Sequence, residues 1–358
     1  MKDSSTPIAF RPDYAIAPGE TLRDALVEQS LSQADLAARA SLSTKHINQI
    51  LQGIAPITLE TSIVLERVTG IPASFWNRRE ADYRETLLRQ KQRTLSDDDK
   101  EWLSSLPIKE LQSREKIPRE KDRGRLFEAV LSFFGVADRQ AWERIWHGPV
   151  ASFRRSHAFT SHPGAVASWL RIAQLDAQNA KAEPFNASAF RRVLREIRAL
   201  TADGDPNLIV EMCATVGVVV VFVPEVKGCR ISGAAWWATP ARGVIALSDR
   251  YKKDDFFWFT FFHEAAHLQL HSKKETFVDD GKDSDVTEDE ANGWAQDFLI
   301  PPERALELRT LRTDAHVAAF AREIGIAPGI VVGRMQHDKI WDYRQGHHLK
   351  RPMCIVET

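Results

Sequence analysis

The hydrophobic residues follow a helical period along most of the chain, and a different period interrupts it beyond the middle of the sequence. The run VGVVVVFVP at residues 216–224 is rich in β-branched residues and predicts a buried strand. Two more strands are predicted at ISGAAWW and GVIALS, which follow it. Amphipathic helices are predicted at Asp254–His271 and at about Glu288–Ile300, where two prolines end the second helix. We therefore expect an α+β domain with a small sheet in the C-terminal half.

Before residue 90 the pattern is that of short helices in close succession. Ser32 and Ser43 are suited to cap helix N-termini, and Gly53 and Gly70 are suited to end helices. The stretch LSQADLAARASLSTKHINQILQG fits a helix-turn-helix whose small core is made by Leu36, Ala37, Ile47 and Ile50. The predicted helices are Leu22–Gln29, Ser32–Ala40, Ser43–Gln52 and Thr58–Thr69.

A length of 358 residues indicates two or three domains. The segment after residue 90 has dense mixed charge and two prolines, which predicts a solvated connector with some helix. The segments in order are a flexible tail at 1–18, an all-α helix-turn-helix domain at 19–89, a charged linker at 90–125, a helical middle domain at 126–200, the α+β domain at 201–345 and a solvated basic tail at 346–358.

The composition limits the cellular setting. The formal net charge is −1, so no global basic field indicates nucleic-acid binding, although a small DNA-reading domain fits within a neutral chain. The three cysteines are an odd number and lie far apart, which favours a reducing cytoplasm over a disulfide framework. The apolar runs are much shorter than the ~20 residues of a membrane span, and the first residues lack a signal-peptide core. We expect a cytoplasmic protein with no membrane partner.

The run FTFFHEAAHLQLH contains His263, Glu264 and His267 in the pattern H-E-x-x-H. Positions i and i+4 lie one turn apart on one face of a helix, about 6 Å of rise. Two imidazoles in this arrangement can bind one Zn²⁺ at about 2.1 Å. Glu264 can then hold a water against the metal and take its proton. The alternative is that these three residues occur by chance on an ordinary helix. Histidine, however, packs poorly among the apolar residues of a buried helix.

A third protein ligand is expected on the next helix, in EDEANGWAQDFLIP. We prefer Glu290, which shares a helix face with Trp294 and Phe298, and Glu288 is the second choice. Small Ala291 and Ala295, on the face beside it, allow this helix to approach the metal helix closely. The alternative is that the acidic residues form a solvated first turn. His271 lies about 12 Å of helix rise from His263, too far to share one ion in an unbroken helix, and is expected to cap the helix C-terminus.

An electrophile for a tetrahedral oxyanion is also needed if the site is catalytic. The sequence offers several side chains and does not choose between them: Arg250, Tyr251, His316, His337 and Tyr343.

The run VIALSDRYKKDDFFWFTFFHEAAHLQLH, followed by EANGWAQDFLIP, resembles the ImmA/IrrE family of metallopeptidases over residues 205–335. Ala266 and Trp294 stand where Gly and Phe are common in that family. The resemblance implies a zincin-like fold, zinc ligands at His263, His267 and Glu290, and Glu264 as the general base. Members of this family include peptidases that cut helix-turn-helix repressors.

The N-terminal stretch resembles the XRE-type DNA-binding domain of HigA-like antitoxins, and the later segment ITLETSIVLERVTGIPASFWNRREADYRE agrees with it. Ser41 departs from the pattern, because the turn usually holds Gly. The resemblance implies that Gln33 contacts phosphate and that three side chains of the second helix face bases: Thr44, Lys45 and Asn48.

The sequence therefore predicts a multidomain DNA-binding regulator with a zinc-dependent endopeptidase domain. Expected partners are a DNA operator, a protein substrate such as a repressor or a toxin partner, and a second copy of the chain in a homodimer. The alternatives are a non-enzymatic antitoxin or repressor with a structural zinc site, and a pure binding module for a partner toxin.

Overall fold

A computed structural model describes residues 15–92, 95–146, 162–250, 252–271 and 284–353, without the side chains of 91, 92, 284 and 285. Contacts divide the chain into two units, Met1–Ser96 with Asp122–Arg125, and Asp97–Lys121 with Leu126–Thr358. The predictions for a tail before residue 15, for Tyr251 and for the last residues from 354 lie outside the described residues.

The first unit is helical. Its described helices are α1 (Pro18–Glu28), α2 (Gln33–Ala40), α3 (Thr44–Leu51), α4 (Leu59–Thr69) and α5 (Ala73–Gln92). Apolar positions at helical spacing turn inward and form one core, in which the fully buried side chains are Leu22, Leu36, Ile47, Leu65 and Trp76. The predicted core of the helix-turn-helix is confirmed, because Ala37 and Ile50 are buried there as well.

The turn between α2 and α3 is fixed by caps on both sides. The Ser32 side chain accepts a hydrogen bond from the Asp35 backbone, and the Asp35 carboxylate accepts one from the Ser32 backbone, which closes a capping box. Ser43 caps α3 through the His46 backbone N–H. Between them Ser41 has φ 55° and ψ 36°, the left-handed conformation.

Replacing Ser41 by glycine is expected to stabilise the first unit, because glycine adopts the left-handed conformation without the cost of about 1 kcal/mol that a side chain brings. Urea unfolding of the full chain, followed by circular dichroism, measures this. Ser41→Ala serves as the control and should give no gain. A lower unfolding midpoint for Ser41→Gly than for the unmodified protein would contradict the role assigned to this turn.

The second unit contains most of the remaining helices. They are α6 (Asp97–Ser104), α7 (Ile108–Ser113), α8 (Arg123–Phe134, which begins in the first unit), α9 (139–146), α10 (Pro163–Asn179), α11 (Ala187–Leu200), α12 (Leu208–Ala214), α13 (Asp254–Leu270), α14 (Ser284–Leu299), α15 (Pro302–Ala305), α16 (Asp314–Ile324) and α17 (Pro328–His337), with 3₁₀ turns at Leu306–Thr310 and His347–Leu349. Two of them, α6 and α7, lie in the segment expected to be a charged linker.

A three-stranded mixed sheet lies in this unit, with the order β1-β3-β2. The strands are β1 (Val218–Phe222), β2 (Gly233–Thr239) and β3 (Arg242–Leu247). β1 is parallel to β3 and β2 is antiparallel to it. All five residues of β1 are buried, as expected for a parallel strand covered on both faces. The three predicted strands are confirmed to within two residues at each end.

Helix α13 is buried on nearly all sides and packs against β2, β3, α14 and α17. Aromatic and small apolar residues around its circumference explain this burial, since a helix that is apolar all round belongs inside a protein. α13 ends at Leu270, and His271 occupies the predicted C-cap position, with its N–H bonded to the His267 carbonyl. α14 begins at Ser284, four residues before the predicted start.

The C-terminal segment fastens the first turn of α13. Lys253 and Pro352 form a β-bridge, and the Asp254 N–H donates to the Arg351 carbonyl at 3.0 Å. Lys350 is only 3% exposed, and its Nζ lies 2.6 Å from Asp255 Oδ2. The expectation of a solvated basic tail is wrong for Lys350, because this buried ion pair holds its side chain inside the unit.

Among the described residues, none of the helices is by itself long and apolar enough to cross a membrane. One sharply bent pair, Asp314–Ile324 with Pro328–His337, meets the criterion for a membrane span by length and composition alone.

Candidate functional site

Helix α13 carries the two histidines of the H-E-x-x-H pattern on one face. Their Nε2 atoms lie 3.1 Å apart, and both rings are mostly buried. Glu288 of α14 faces them, with its carboxylate oxygens 3.2 Å from His263 Nε2 and 3.6 Å from His267 Nε2. His263, His267 and Glu288 form a group of three potential metal ligands among the described residues.

The structure brings Glu288, the second choice of the sequence analysis, to the histidines, and it places Glu290 elsewhere. The Glu290 carboxylate is 57% exposed and lies 3.3 Å from His271 Nε2. The reason is the orientation of α14. The stripe of α14 that faces the core is marked by fully buried Ala291 and Ala295, and Glu288 lies on that stripe, one turn before Ala291. Glu290 lies about 100° around the helix from Ala291.

The spacing of the three donors fits a zinc ion. Four ligands at about 2.1 Å in a tetrahedron are separated from each other by about 3.4 Å. The separations of 3.1, 3.2 and 3.6 Å between His263, His267 and Glu288 are close to that edge length. Two imidazole nitrogens and one carboxylate also match the ligand types of catalytic zinc sites. The residues present therefore fit the metal that the sequence pattern predicts.

Burial dominates the electrostatics of this site. Burial, and then the charge on His263, lowers the pKa of His267 to about 4, so this ring is neutral at pH 7 as a ligand must be. Burial also acts to lower the pKa of His263, but other effects outweigh it. The pKa is raised by the hydrogen bond to Glu288, by the charges of Glu264 and Glu288, and by the Asn292 side chain. Burial raises the pKa of Glu264 to about 8, against a smaller opposing effect of His263.

His271 continues the site outward from His267. The Nδ1 atoms of these two rings are 3.0 Å apart, and Nε2 of His271 faces Glu290. For Nε2 of His267 to offer a lone pair to a metal, its Nδ1 must carry the proton and donate to His271. The proton of His271 then lies on Nε2, where Glu290 accepts it. This series of hydrogen bonds orients His267. Nδ1 of His263, in contrast, is buried without a hydrogen-bond partner among the described residues.

Glu264 lies beneath the first residue of β2, where Gly233 permits a close approach. A Cβ at Gly233 would stand 2.6 Å from Thr260 Cγ2 and 2.8 Å from Glu264 Oε1. The position therefore excludes any side chain while the carboxylate keeps its place. Gly233 is a site residue missing from the sequence-based predictions, although a glycine at a strand end signals a close approach.

Replacing Gly233 by alanine is expected to destabilise the second unit by about 1–3 kcal/mol, because Thr260 or the Glu264 carboxylate must move. The control is Gly293→Ala in α14, where an added Cβ meets no atom within 4 Å. That change should be neutral or stabilise by up to about 1 kcal/mol, since alanine favours a helix. Chemical unfolding of both variants measures the difference. Equal stabilities would contradict the close contact.

The other catalytic candidates occupy different places. Arg250 donates to the backbone carbonyl of Arg230. His337 and Tyr343 line a cavity further along α13, His316 is exposed on α16, and Tyr251 lies outside the described residues.

The helix-turn-helix presents a polar face at α2 and α3. Gln33 is the first residue of α2, just after the Ser32 cap. Thr44, Lys45 and Asn48 lie on α3, and all four side chains are exposed, as the sequence analysis expected. Asn48 Oδ1 accepts a hydrogen bond from Gln52 at 3.2 Å. A phosphate or a base edge can reach this face, and the individual contacts remain predictions.

Two family models match the chain, one in each unit. Residues 213–335 match the IrrE N-terminal-like domain of a peptidase family, and residues 22–76 match a helix-turn-helix model. The chain thus joins a helix-turn-helix segment to an IrrE N-terminal-like domain, as the two resemblances in the sequence implied. No curated protein matches the chain.

Two solved structures are similar to part of the chain. An addiction module antidote protein of a HigA family from Coxiella burnetii is 26% identical and covers 22% of this chain and 86% of its own, with a TM-score of 0.21. Pseudomonas aeruginosa antitoxin HigA, solved with the higBA promoter, is 28% identical and covers 24% of this chain and 98% of its own, also with a TM-score of 0.21.

Proposed function

We propose that the protein is a DNA-binding regulator whose zincin-like domain, residues 201–345, is a zinc-dependent endopeptidase acting on a regulatory protein. The observation that carries this proposal is the buried Glu264 carboxylate beside the group formed by His263, His267 and Glu288. The substrate class is a repressor or a toxin partner, in keeping with the helix-turn-helix in the same chain.

The number of protein ligands favours an enzyme over a structural site. A structural zinc site has four protein ligands, whereas a catalytic site has three and leaves one position for water or substrate. The described residues supply three, His263, His267 and Glu288. When bound, zinc acts as a Lewis acid that polarises a peptide carbonyl and makes a water molecule acidic near neutral pH.

Glu264 is the general base in this proposal. It follows His263 directly, so its carboxylate lies about 100° around α13 from the ligand face and does not take a ligand position. The carboxylate accepts the proton of the attacking water and passes it to the leaving amine. Burial raises the pKa of the Glu264 carboxyl in the metal-free protein, which strengthens this carboxylate as a proton acceptor.

The experiment is incubation of the zinc-loaded protein with the proteins encoded beside its gene, followed by mass spectrometry for new chain termini. We expect cleavage of one such protein, and no cleavage after removal of zinc with a chelator. If no neighbouring protein or library peptide is cut while zinc stays bound, the non-enzymatic repressor with a structural zinc site is favoured instead.

The exposed face of α2 and α3 supports the proposal of DNA binding. Short polar side chains at the start of α3 are suited to read base edges in the major groove, and the N-terminus of α2, at Gln33, is suited to meet phosphate. From Gly19 to Arg93 there are ten Lys or Arg and nine Asp or Glu, a net charge of +1. We therefore propose that binding depends on two copies of the chain acting together on a symmetric operator.

Lys45→Ala is expected to weaken DNA binding and to reduce the slope of log affinity against log salt by about one, if Lys45 contacts phosphate. Asn48→Ala is expected to lower affinity for the selected operator more than for random DNA. Fluorescence anisotropy at several salt concentrations measures both, after selection of the operator from random sequence. Arg67→Ala on α4 removes the same charge as Lys45→Ala outside the helix-turn-helix pair and should leave the slope unchanged. Recovery of random sequence alone would remove the operator-reading role.

A further inference from the structure

A cavity of about 340 Å³ is lined by residues of α13, α14 and α17. This volume is within the range of natural ligand pockets. Apolar side chains make most of its wall: Phe256, Phe259, Leu299, Ile300 and Ile330. Helix α17 contributes several lining residues, and the lining residues His337 and Tyr343 are largely exposed.

The cavity adjoins the metal ligands on both helices. Phe259 precedes His263 by four residues, and their ring centroids are 6.2 Å apart. Gln296, also in the wall, follows Glu288 by eight residues, which is about 12 Å along α14. Residues four apart share one helix face about 6 Å from each other along the axis. The cavity therefore begins one helical turn from His263 along α13 and two turns from Glu288 along α14.

The charged side chains of the cavity wall already have partners of opposite charge, and the atoms among them that lack a hydrogen bond, Asp255 Oδ1 and Arg334 Nη1, are buried away from solvent. Lys350 contacts Asp255 at 2.6 Å and donates to Gln336 at 2.7 Å. The Arg334 Nε lies 2.8 Å from Asp338. A charged occupant would lose its hydration here without finding a free counter-ion among the described residues, and this costs free energy. An uncharged apolar occupant meets no such cost.

We propose that this cavity receives a large, uncharged apolar side chain of the peptide whose scissile bond lies at the metal ligands, and that it sets the cleavage preference. The inference rests on the proposed peptidase function. Successive side chains of an extended peptide are about 3.3 Å apart, so a residue next to the scissile bond or one beyond it reaches the cavity. Cleavage is then directed to bonds flanked by residues such as leucine, methionine or phenylalanine.

The test uses hydroxamate peptides, which bind zinc directly and require no turnover. One probe carries phenylalanine on one side of the hydroxamate and a second carries it on the other side, and each is compared with its glycine analogue. Isothermal titration with the zinc-loaded full chain measures the dissociation constants. For one of the two geometries, phenylalanine is expected to bind about 10- to 100-fold more tightly than glycine, the gain from burying one large apolar side chain.

Two substitutions in the cavity wall test whether the preference for phenylalanine arises there. Ile330→Trp fills the cavity and should reduce the phenylalanine preference to less than about threefold, while the glycine probe binds as before. Leu306→Trp is the control, because Leu306 is 75% exposed and does not line the cavity. If Ile330→Trp does not fold, Gln296→Glu preserves the shape of the wall and adds a negative charge, which should weaken the phenylalanine probe and strengthen a lysine probe.

The outcomes separate the two proposals. Tight binding of all hydroxamates with no side-chain preference, or a preference that survives both cavity variants, overturns the cavity assignment and leaves the metal centre intact. If no hydroxamate binds the zinc-loaded chain in either geometry, the proposed peptidase function fails and this inference fails with it.

Discussion

Replacing Glu288 by glutamine is expected to lower zinc affinity by more than about 100-fold. Loss of a group that only supports a ligand lowers metal affinity by about 10- to 100-fold, and loss of a ligand itself has a larger effect. Glu288 is the carboxylate that faces both His263 and His267. Competition with a chelating dye, performed on the full chain at pH 7, measures the dissociation constant.

The neighbouring acidic residues of α14 provide matched controls. Glu290→Gln removes the carboxylate that accepts the hydrogen bond of His271, the last in the series that orients His267. It should lower zinc affinity by about tenfold at most. Asp289→Asn changes an exposed carboxylate and should have no effect. If Glu290→Gln loses zinc and Glu288→Gln retains it, the ligand set drawn from the structure is incorrect.

Glu264→Gln is expected to abolish cleavage while zinc remains bound. Glutamine keeps the shape of the side chain but cannot accept the proton of the attacking water, so turnover should fall by about 100-fold or more. Zinc content and operator binding should match the unmodified protein, because Glu264 is not a ligand and the helix-turn-helix is a separate unit. Zinc analysis, anisotropy and a cleavage assay on one preparation measure all three. Unchanged turnover would rule out the role of general base.

In the metal-free protein, the same substitution is expected to change how the folding stability depends on pH. Glu264 has a pKa of about 8 in the folded chain, raised from 4.5 by burial. The unfolded chain releases this proton near pH 4.5, so this group makes folding less favourable as the pH rises from about 4.5 to 8. Glu264→Gln removes that loss. Its melting temperature should therefore exceed that of the unmodified protein by more at pH 8 than at pH 5.

The elements that the sequence predicted well have strong local signals. The β-branched run at 216–224 indicates a buried strand without reference to the rest of the chain, and the structure has β1 within it. Ser32 and Ser43 are N-caps in the structure because their short side chains satisfy free backbone N–H groups nearby. The two histidines are brought together by helix geometry alone.

The third ligand depended on the rotation of α14, which local signals leave open. Small Ala291 and Ala295 predict which face of α14 approaches the metal helix. One turn before Ala291 on that face is Glu288, so the signal was present. The choice of Glu290 turned the neighbouring face, which carries Trp294 and Phe298, to the metal, and it placed the carboxylate about 100° from the face of Ala291.

Features formed by distant parts of the chain could not be predicted in this way. Lys350 is buried because Asp255, 95 positions earlier, lies opposite it. Gly233 is required because a helix that starts some twenty residues later brings Glu264 beneath it. The cavity beside the metal ligands is built by α13, α14, α17 and the C-terminal segment together. Each depends on packing between elements, for which the sequence has no short-range signal.

X-ray absorption at the zinc edge of the zinc-loaded chain tests the metal centre most directly. The predicted spectrum shows two imidazoles and oxygen ligands at about 2.0–2.2 Å, with four-fold coordination that includes one exchangeable position. In Glu288→Gln, whatever zinc remains should lose its carboxylate contribution. A sulfur shell at about 2.3 Å, or four protein ligands with no exchangeable position, would contradict a catalytic zinc held by His263, His267 and Glu288.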